Sequence, residues 1–536
     1  MSEPILANEK NIHVSFRRGR TIGIVGVLTV IVAVFGYLRE ASLAARFGVS
    51  AVMDAYFAAI FIPNILYLVL ITGMLSPIFI PILVQESLCE DRAAISETFS
   101  HVTNFVLLVL AVATSLCIVL ARFWLPFLFA GFSAATTGMA VQLTYIIFPA
   151  VLFLAVSGIF SAVLNGFHRF ALAAFAPALG SISVISAVLL ARGEKAIYVV
   201  GVATGFGFAL QSIVLLPAVR ATGLRYYPIL NLNHPAIRKV FRLGVPLFLY
   251  LAVANASGFL ERNLASHLSP GAVATLSYAL RLFMVPANFL VTPLVTVVYP
   301  GLAREAAREA YGDLKNEMRR NLRLVFFFFF PATIWVVLNA LPVTRLLYER
   351  GQFRLQDSLM TSRVLAIYGT AILPYAATLM ALRCFYAIED TMTPLKAELI
   401  NLCYFIIVAT LMTRHYGLVG LAVSRATSFF LVALIVLGVL AKKLGLFKIP
   451  AHTANFIFRT VIASGAMSFV IWLSWHRLQP FFDTGNVAVR LAIVAAQLLV
   501  GSVSFFVAAL ALRINESRRV LNMVAGLTSS VLAKLF

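Results

Sequence analysis

Charged residues are scarce in this chain, and acidic residues are the scarcest of them. Only 12% of its 536 residues are charged, with 21 acidic against 42 basic residues. A soluble domain carries about 25% charged residues, so the composition argues against a soluble protein. Cysteines number four, and none forms a CxxC pair, which argues against a disulfide framework or a cysteine-based metal site.

Enzyme signatures are also missing. The chain has no Walker A motif, so nothing in it indicates direct ATP coupling. No carboxylate pair, Ser–His–Asp set or metal-ligand cluster stands out, and no loop between apolar segments is long enough for a soluble catalytic domain. The sequence therefore predicts a protein that is not an enzyme, has no cofactor or metal, and draws any work from membrane potential or a coupled monovalent ion.

Long apolar segments fill most of the chain. Apolar residues make up 61% of it, and the mean hydropathy is +0.95. A segment of about 20 apolar residues spans the hydrocarbon, and it must be helical because lipid offers no partners to the backbone. The sequence therefore predicts an all-α polytopic membrane protein with about fourteen spans: Thr21–Leu38, Ala55–Leu83, Val102–Ala121, Met139–Gly166, Ala171–Leu190, Ile197–Val219, Leu243–Leu260, Ala272–Leu302, Leu322–Leu341, Ser358–Leu382, Ala397–Leu411, Leu418–Leu440, Phe456–Trp475 and Ala488–Leu512.

The longest hydrophilic connections suggest how these spans are grouped. The segment Arg220–Arg242 would be a hinge between two lobes of six helices. The predicted parts are a tail (1–20), an N-lobe (21–220), a linker (221–242), a C-lobe (243–441), a two-helix appendage (442–512) and a second tail (513–536).

The two lobes echo each other weakly. Gly48 and Gly271 each precede by 15 residues a proline within an apolar segment, Pro63 and Pro286. Such prolines kink helices, and repeated halves with broken helices are a common transporter design with the site at the repeat interface. We therefore interpret both prolines as kinks or hinges, with chance coincidence as the alternative.

Basic residues are distributed unevenly between the two sides of the predicted topology. With the N-terminus inside, 25 Lys and Arg residues fall on the inner side, 11 on the outer side and six within spans. This asymmetry follows the positive-inside rule and predicts that both termini are cytoplasmic. The positive charge is then explained by topology and by anionic membrane lipids rather than by nucleic acid.

The clearest deep charge is Arg281, which lies within the apolar stretch SYALRLFMVP. A buried arginine must face water, a carboxylate or an anionic ligand, and a guanidinium binds phosphate with two hydrogen bonds. We predict phosphate binding, with a structural ion pair as the alternative.

Other charged residues lie near span ends. Arg39, Glu40, Arg46 and Asp54 would form either an outward ion-pair cluster or a rim that binds an anion and gates the outer side. The remaining candidates for substrate binding are charges that could also be interfacial: Glu261, Arg262, Arg363 and Arg425. Glu261 and Arg262 are adjacent, so they point about 100° apart and are not expected to pair with each other.

The run Phe326–Phe330 precedes a proline in the ninth span. We predict that it faces lipid as filler, with a lateral lipid portal as the alternative.

Several segments resemble the MurJ/MviN family of lipid II flippases, which belongs to the multidrug/oligosaccharidyl-lipid/polysaccharide exporter superfamily. The similar stretches occur in the family's order and cover most of spans one to eleven: Phe35–Leu83, Asn165–Pro177, Tyr278–Pro286, Arg350–Arg363 and Thr393–Lys396. The chain is identified as a divergent member.

The resemblance implies two six-helix lobes around a cationic central cavity, with two C-terminal helices forming a hydrophobic groove. It implies that the chain moves a polyprenyl-pyrophosphate-linked saccharide, with lipid II the first candidate, across a bacterial inner membrane by alternating access. Arg39, Asp54 and Arg281 fall on positions that the family uses. Membrane lipids and cell-wall synthesis proteins are the implied partners.

The departures from the family pattern concern charge. Ala33 and Tyr67 stand where the family usually has Arg, and Thr72 and Met284 where it has Glu. Another lipid-linked glycan, for an exopolysaccharide or O-antigen, is therefore an alternative substrate. An ion-coupled small-molecule antiporter is the alternative from the same superfamily.

Overall fold

The computed structural model describes residues 3–67, 92–167, 169–308, 311–446, 450–483, 485–518 and 521. Within these ranges the chain is helical and contains no β-strand. Ten helices are long and apolar enough to cross a membrane, or eleven with one bent pair counted as a span. The predicted class, an all-α polytopic membrane protein, is confirmed. Thr72 and most of the predicted C-terminal tail lie outside the described residues.

The helices up to Ser266 carry the first seven predicted spans. They are α1 (Glu3–Phe47), α2 (Ala51–Tyr67), α3 (Arg92–Val119), α4 (Ala121–Leu128), α5 (Ala134–Ile147), α6 (Val151–Gly166), α7 (Phe170–Leu190), α8 (Ala196–Arg220) and α9 (Pro235–Ser266). Many of their large apolar side chains point outward, as expected for surfaces that face lipid: Phe123, Phe127 and Leu190 are each more than 70% exposed.

The later helices carry the other seven predicted spans. They are α10 (Ala272–Pro286), α11 (Thr292–Ala307), α12 (Tyr311–Leu338), α13 (Ala340–Tyr348), α14 (Leu355–Gly369), α15 (Ile372–Ala387), α16 (Met392–Leu444), α17 (Ala451–Phe482) and α18 (Val487–Ala511). Helices α14 and α15 form the bent pair, with 43° between them. Gly417 has φ 56° and ψ −134°, so α16 consists of two helical segments that meet there, one for each predicted span.

The contact pattern divides the chain into two compact units. The first contains Met1–Ala274 and Arg350–Phe353, and the second contains Thr275–Glu349 and Arg354–Phe536. Helix α9 therefore belongs to the first unit, although the sequence places it after the linker at 221–242. The predicted lobe ranges stay a prediction.

The core of the first unit lies between α3, α6 and α8. Phe99 and Val106 of α3 pack with Ile159 of α6 and Leu215 of α8, all at most 4% exposed. In a bilayer such contacts stabilise the unit through van der Waals packing, because lipid tails are as apolar as these side chains. These contacts hold together the helices against which the linker lies.

The predicted linker is bound to α3 along part of its length. Residues 224–231, here called the strap, run beside the polar face formed by Ser96, Ser100 and Asn104. The two serine hydroxyls accept strap backbone N–H groups, at 3.2 and 2.9 Å. Asn104 Nδ2 donates to the carbonyls of Tyr227 and Ile229, at 3.0 and 2.8 Å. The strap is thus fixed by the spacing of short polar residues on one face of α3.

In the second unit, α17 and α18 pack on α12. Phe327 of α12 is fully buried and its ring lies 5.2 Å from that of Phe505. Phe329 is 1% exposed. The prediction that the run Phe326–Phe330 faces lipid is therefore wrong for these two residues, and for Phe327 the reason is that α18 covers its side of α12. Arg490 of α18 adds an ion pair to Glu349 at 2.9 Å, beyond the end of α13.

Candidate functional site

Asp54 lies in the first turn of α2, and its carboxylate caps the start of α10. The two oxygens accept the backbone N–H groups of Gly271, at 2.6 Å, and Ala274, at 2.7 Å. The first N–H groups of a helix have no partner within it, and the positive end of the helix dipole favours a carboxylate. Asp54 is only 3% exposed, so its charge serves to position α10.

Tight backbone turns surround this cap. Gly271 has φ +90°, and a Cβ there would lie 2.4 Å from Val49 Cγ1. Gly351 has φ +57°, and a Cβ there would lie 2.2 Å from the Ala45 carbonyl oxygen. That oxygen also accepts the Gln352 N–H at 2.8 Å. Residues 45–50, 271–274 and 350–353 are here called the turn cluster, in which only glycine permits the observed approach.

Arg39 and Glu40 form an ion pair near the end of α1. Arg39 Nη2 and Nε donate to Glu40 Oε1, at 2.8 and 3.2 Å. The Glu40 side chain is 3% exposed and that of Arg39 is 26% exposed. Arg46 instead donates to the Ala191 carbonyl at 3.0 Å. The ion-pair interpretation of this group thus holds for Arg39 and Glu40, and part of the Arg39 side chain stays exposed.

Arg262 packs on an aromatic side chain of α2. Its guanidinium lies 3.9 Å from the centre of the Phe61 ring and also donates to the Gly258 carbonyl at 3.1 Å. A cation over an aromatic face gains about 0.5–2 kcal/mol without losing its charge. The neighbouring Glu261 is 4% exposed. Pro63, the predicted kink, lies buried in α2 two residues after Phe61.

The second unit holds the other three predicted arginines. Arg425, in α16, is 9% exposed and lies 4.6 Å from the centre of the Phe405 ring, with Glu398 within electrostatic reach. Arg281 is partly buried on α10, whereas Arg363 is exposed on α14. The three arginines therefore differ in burial, and Arg425 is the most buried of them.

The predicted break at Pro286 coincides with a change in helix geometry. Helix α10 ends at this proline, and a π-helical turn, Ala287–Val291, follows before α11. A proline removes one backbone donor, and π turns are common where a helix serves a function. Met284, which replaces a family glutamate, lies two residues before the proline and is partly buried.

The structure thus divides the predicted residues between the two units. Arg39, Asp54, Glu261 and Arg262 belong to the first, and Arg281, Arg363 and Arg425 to the second. Sequence reasoning missed the aromatic partners and the turn at Gly351. The arginine–glycine pair in the segment that begins at Arg350 was the available signal for the turn, whereas nothing in the sequence singled out Phe61 or Phe405 from the other phenylalanines. Among the described residues, no group of three or more His, Cys, Asp or Glu could hold a metal ion.

Comparison with known proteins identifies the family. The family profile described as "Lipid II flippase MurJ" matches residues 43–493. The lipid II flippase MurJ of Burkholderia cenocepacia is 30% identical over 391 residues, covering 70% of this chain and 75% of the relative. The chain belongs to the lipid II flippase MurJ family. A probable lipid II flippase MurJ of Vibrio cholerae is 26% identical over 84% of this chain and 90% of its own length.

Solved structures agree with this family in fold. A structure of lipid II flippase MurJ in an inward closed conformation superposes with a TM-score of 0.75 at 22% identity, covering 91% of this chain and 98% of that one. An inward-facing multidrug resistance transporter of the MATE family gives a TM-score of 0.66 at 12% identity, covering 79% and 98%. The resemblance inferred from the motifs is therefore confirmed, and the chain is a multi-pass membrane transporter rather than an enzyme.

Proposed function

We propose that this chain translocates lipid II, the polyprenyl-pyrophosphate-linked precursor of peptidoglycan, from the inner to the outer leaflet of the bacterial inner membrane. The observation that carries the proposal is the family match over residues 43–493, which includes every predicted substrate-binding residue except Arg39. Both termini are cytoplasmic in this proposal, as the charge asymmetry predicts. Cell-wall synthesis proteins would use the product.

The charge of the chain suits an anionic headgroup. A pyrophosphate needs cations that can form two hydrogen bonds at once, and guanidinium groups do so better than ammonium groups. Arg39, Arg262 and Arg281 are the residues proposed to supply them. The reaction breaks no covalent bond, so binding and conformational change account for the whole of it, and the energy would come from membrane potential or a coupled monovalent ion.

Alternating access requires the outer side to open after the headgroup is bound. The predicted topology places the turn cluster at the outer ends of α1 and α2. Release outward would therefore require its backbone contacts to separate, including the Asp54 cap on α10. Hydrogen bonds to a charged group contribute about 1.5–3 kcal/mol each, so the free energy of headgroup binding or of the driving gradient would have to offset the opening of this contact.

Complementation tests the proposal. A host depleted of its essential lipid II flippase would express this chain, and outward-facing lipid II would be measured by its accessibility to an external hydrolase. We expect rescue by the wild type, loss with Arg281→Ala, and partial activity with Arg281→Lys, which keeps the charge but not the planar fork. Arg477→Ala is the control, because Arg477 is exposed on α17 and outside the predicted site.

Another lipid-linked glycan is the second candidate, favoured by the uncharged residues at Ala33, Tyr67 and Met284. If the wild type reaches the membrane without restoring lipid II accessibility, lipid II is the wrong substrate in that host, and export of other lipid-linked glycans becomes the next measurement. A drug-resistance assay addresses the antiporter alternative. Activity of Arg281→Ala equal to the wild type would contradict the proposed role of that residue.

A further inference from the structure

The second unit contains a cavity of about 560 Å³ between α12, α15, α16 and α17. Arg319 and Arg323 lie on its wall near the start of α12, and the rest of the wall is almost wholly apolar. Thr453 is the other polar residue that lines it. A cavity of this size is within the range of small-molecule sites. Its lining combines two basic side chains with a largely apolar wall.

The cavity is open toward the lipid-facing surface of α16. Phe430 and Leu434 line it and are 48% and 73% exposed, whereas Ala433 between them is 6% exposed. Side chains as apolar as these face hydrocarbon in a membrane protein. An apolar cavity holds water poorly, so a chain from the bilayer is the natural occupant.

The end of the cavity formed by Arg319 and Arg323 contains hydrogen-bond donors. Arg323 lies 4.5 Å from the centre of the Phe456 ring and pairs with Glu516 at 2.7 Å. Its buried Nε has no hydrogen-bond partner among the described residues. A guanidinium has five N–H donors, so the two arginines together bring more donors to this end than one carboxylate can accept from. Phosphate oxygens at this end would lie beside the two arginine side chains that line the cavity, Arg319 and Arg323.

A third basic side chain lies near this end of the cavity. Lys315 Nζ lies 3.3 Å from where a Cβ of Gly445 would be, and Gly445 precedes a residue that lines the cavity, Leu446. Lys315 thus joins Arg319 and Arg323 at this end of the cavity, and Glu516 pairs with Arg323. An anion is favoured there, and the start of α12 lies on the side that the charge asymmetry predicts to be cytoplasmic.

We infer that this cavity binds one anionic glycerophospholipid of the cytoplasmic leaflet, with an acyl chain inside and the phosphate at Arg319 and Arg323. Anionic headgroups at the cytoplasmic surface attract nearby Lys and Arg side chains. A saccharide-bearing headgroup fits less well, because its hydroxyls need many polar partners and the lining offers only Thr453 besides the arginines. The inference concerns a resident membrane lipid and does not depend on which lipid is transported.

Native mass spectrometry of the full chain, delipidated in detergent, tests this inference. Phosphatidylglycerol and phosphatidylcholine with the same acyl chains would be titrated separately. We expect one phosphatidylglycerol to bind about tenfold more tightly than phosphatidylcholine, a ratio equivalent to about 1.4 kcal/mol. Arg319→Gln should reduce this ratio to near one. Arg320→Gln should keep it, because Arg320 is 58% exposed, pairs with Glu317 and does not line the cavity.

A second variant tests the cavity itself. Ala433→Leu fills it without changing the charge, so both lipids should lose the saturable first binding event. A thermal unfolding midpoint within a few degrees of the wild type would show that Ala433→Leu is folded. If Ala433→Leu does not fold, the comparison of Arg319→Gln with Arg320→Gln decides the test. The inference is overturned if the wild type binds both lipids equally, or if the two arginine variants behave alike. It is also overturned if a polyprenyl diphosphate displaces phosphatidylglycerol at a lower concentration than phosphatidylglycerol itself requires.

Discussion

Replacing Asp54 by alanine removes the carboxylate that caps α10. Two backbone N–H groups, at 2.6 and 2.7 Å in the wild type, would lose their acceptor in a place where Asp54 is only 3% exposed. A hydrogen bond to a charged group contributes about 1.5–3 kcal/mol, and an N-cap substitution to alanine alone costs about 0.5–2 kcal/mol. Because some water can enter the space that the side chain leaves, we expect a loss of about 3 kcal/mol from the free energy of unfolding.

Thermal unfolding of the purified chain in detergent, followed by loss of the monodisperse gel-filtration peak, measures this effect. For domains of 150–250 residues a loss of 1 kcal/mol lowers Tm by about 2–4 °C, and for the larger first unit the shift is smaller. We therefore expect Asp54→Ala to lower Tm by roughly 5 °C. Asp54→Asn should lie between Asp54→Ala and the wild type, since it keeps one acceptor oxygen but no charge.

The matched control is Asp313→Asn. Asp313 also lies in the first turn of a helix, α12, but it is exposed, so the change should move Tm by less than about 1 °C. The structural role of Asp54 would be refuted if Asp54→Ala unfolded at the wild-type temperature. If Asp54→Ala kept the wild-type Tm but lost transport, a direct role of Asp54 in substrate binding would be indicated.

Three further changes test other parts of the structure. Gly351→Ala places a methyl group 2.2 Å from the Ala45 carbonyl oxygen at a φ of +57°, so a stability loss of about 1–3 kcal/mol should appear as a lower Tm. Asn104→Ala removes both hydrogen bonds to strap carbonyls, so trypsin should cleave the strap faster than in the wild type while Tm changes little. Partial burial raises the pKa of Asp390, but its hydrogen bonds to the Lys443 ammonium and to a threonine outweigh burial and lower it to about 2, from an ordinary 3.8. This carboxylate therefore stabilises the fold fully above about pH 4 and less as pH falls toward 2, and the Tm difference between the wild type and Lys443→Met should shrink over that range.

Much of the fold follows from apolarity alone. All fourteen predicted spans lie wholly or partly on described helices, because a lipid-exposed segment must satisfy its backbone internally whatever its neighbours are. The two segments of α16 were separable in the sequence because Gly417 lies between two apolar runs, and its φ of 56° shows why glycine is there. The burial of Phe327 and Phe329 was not predictable, since five consecutive phenylalanines place apolar rings on every face of a helix and only the neighbouring helices decide which rings are covered.

The site was harder to predict, because its contacts join distant parts of the chain. Arg39 and Asp54 could be singled out as charges beside apolar segments, but the partners of Asp54 lie 217 and 220 residues further along. Arg39 and Glu40 pair although they are adjacent, since a long guanidinium reaches around the 100° that separates neighbouring side chains on a helix.

The shortage of acidic residues and the abundance of phenylalanine have a common structural result. The chain has 21 acidic residues for 42 basic ones, together with 44 phenylalanines. Aromatic rings accordingly lie against several guanidinium groups, among them those of Arg262, Arg323 and Arg425. A carboxylate partner would cancel most of the field of such a cation, whereas an aromatic face stabilises it by about 0.5–2 kcal/mol and leaves the charge in place. A ring therefore stabilises these arginines without neutralising them, whatever their other partners are, which suits a transporter proposed to move an anionic lipid.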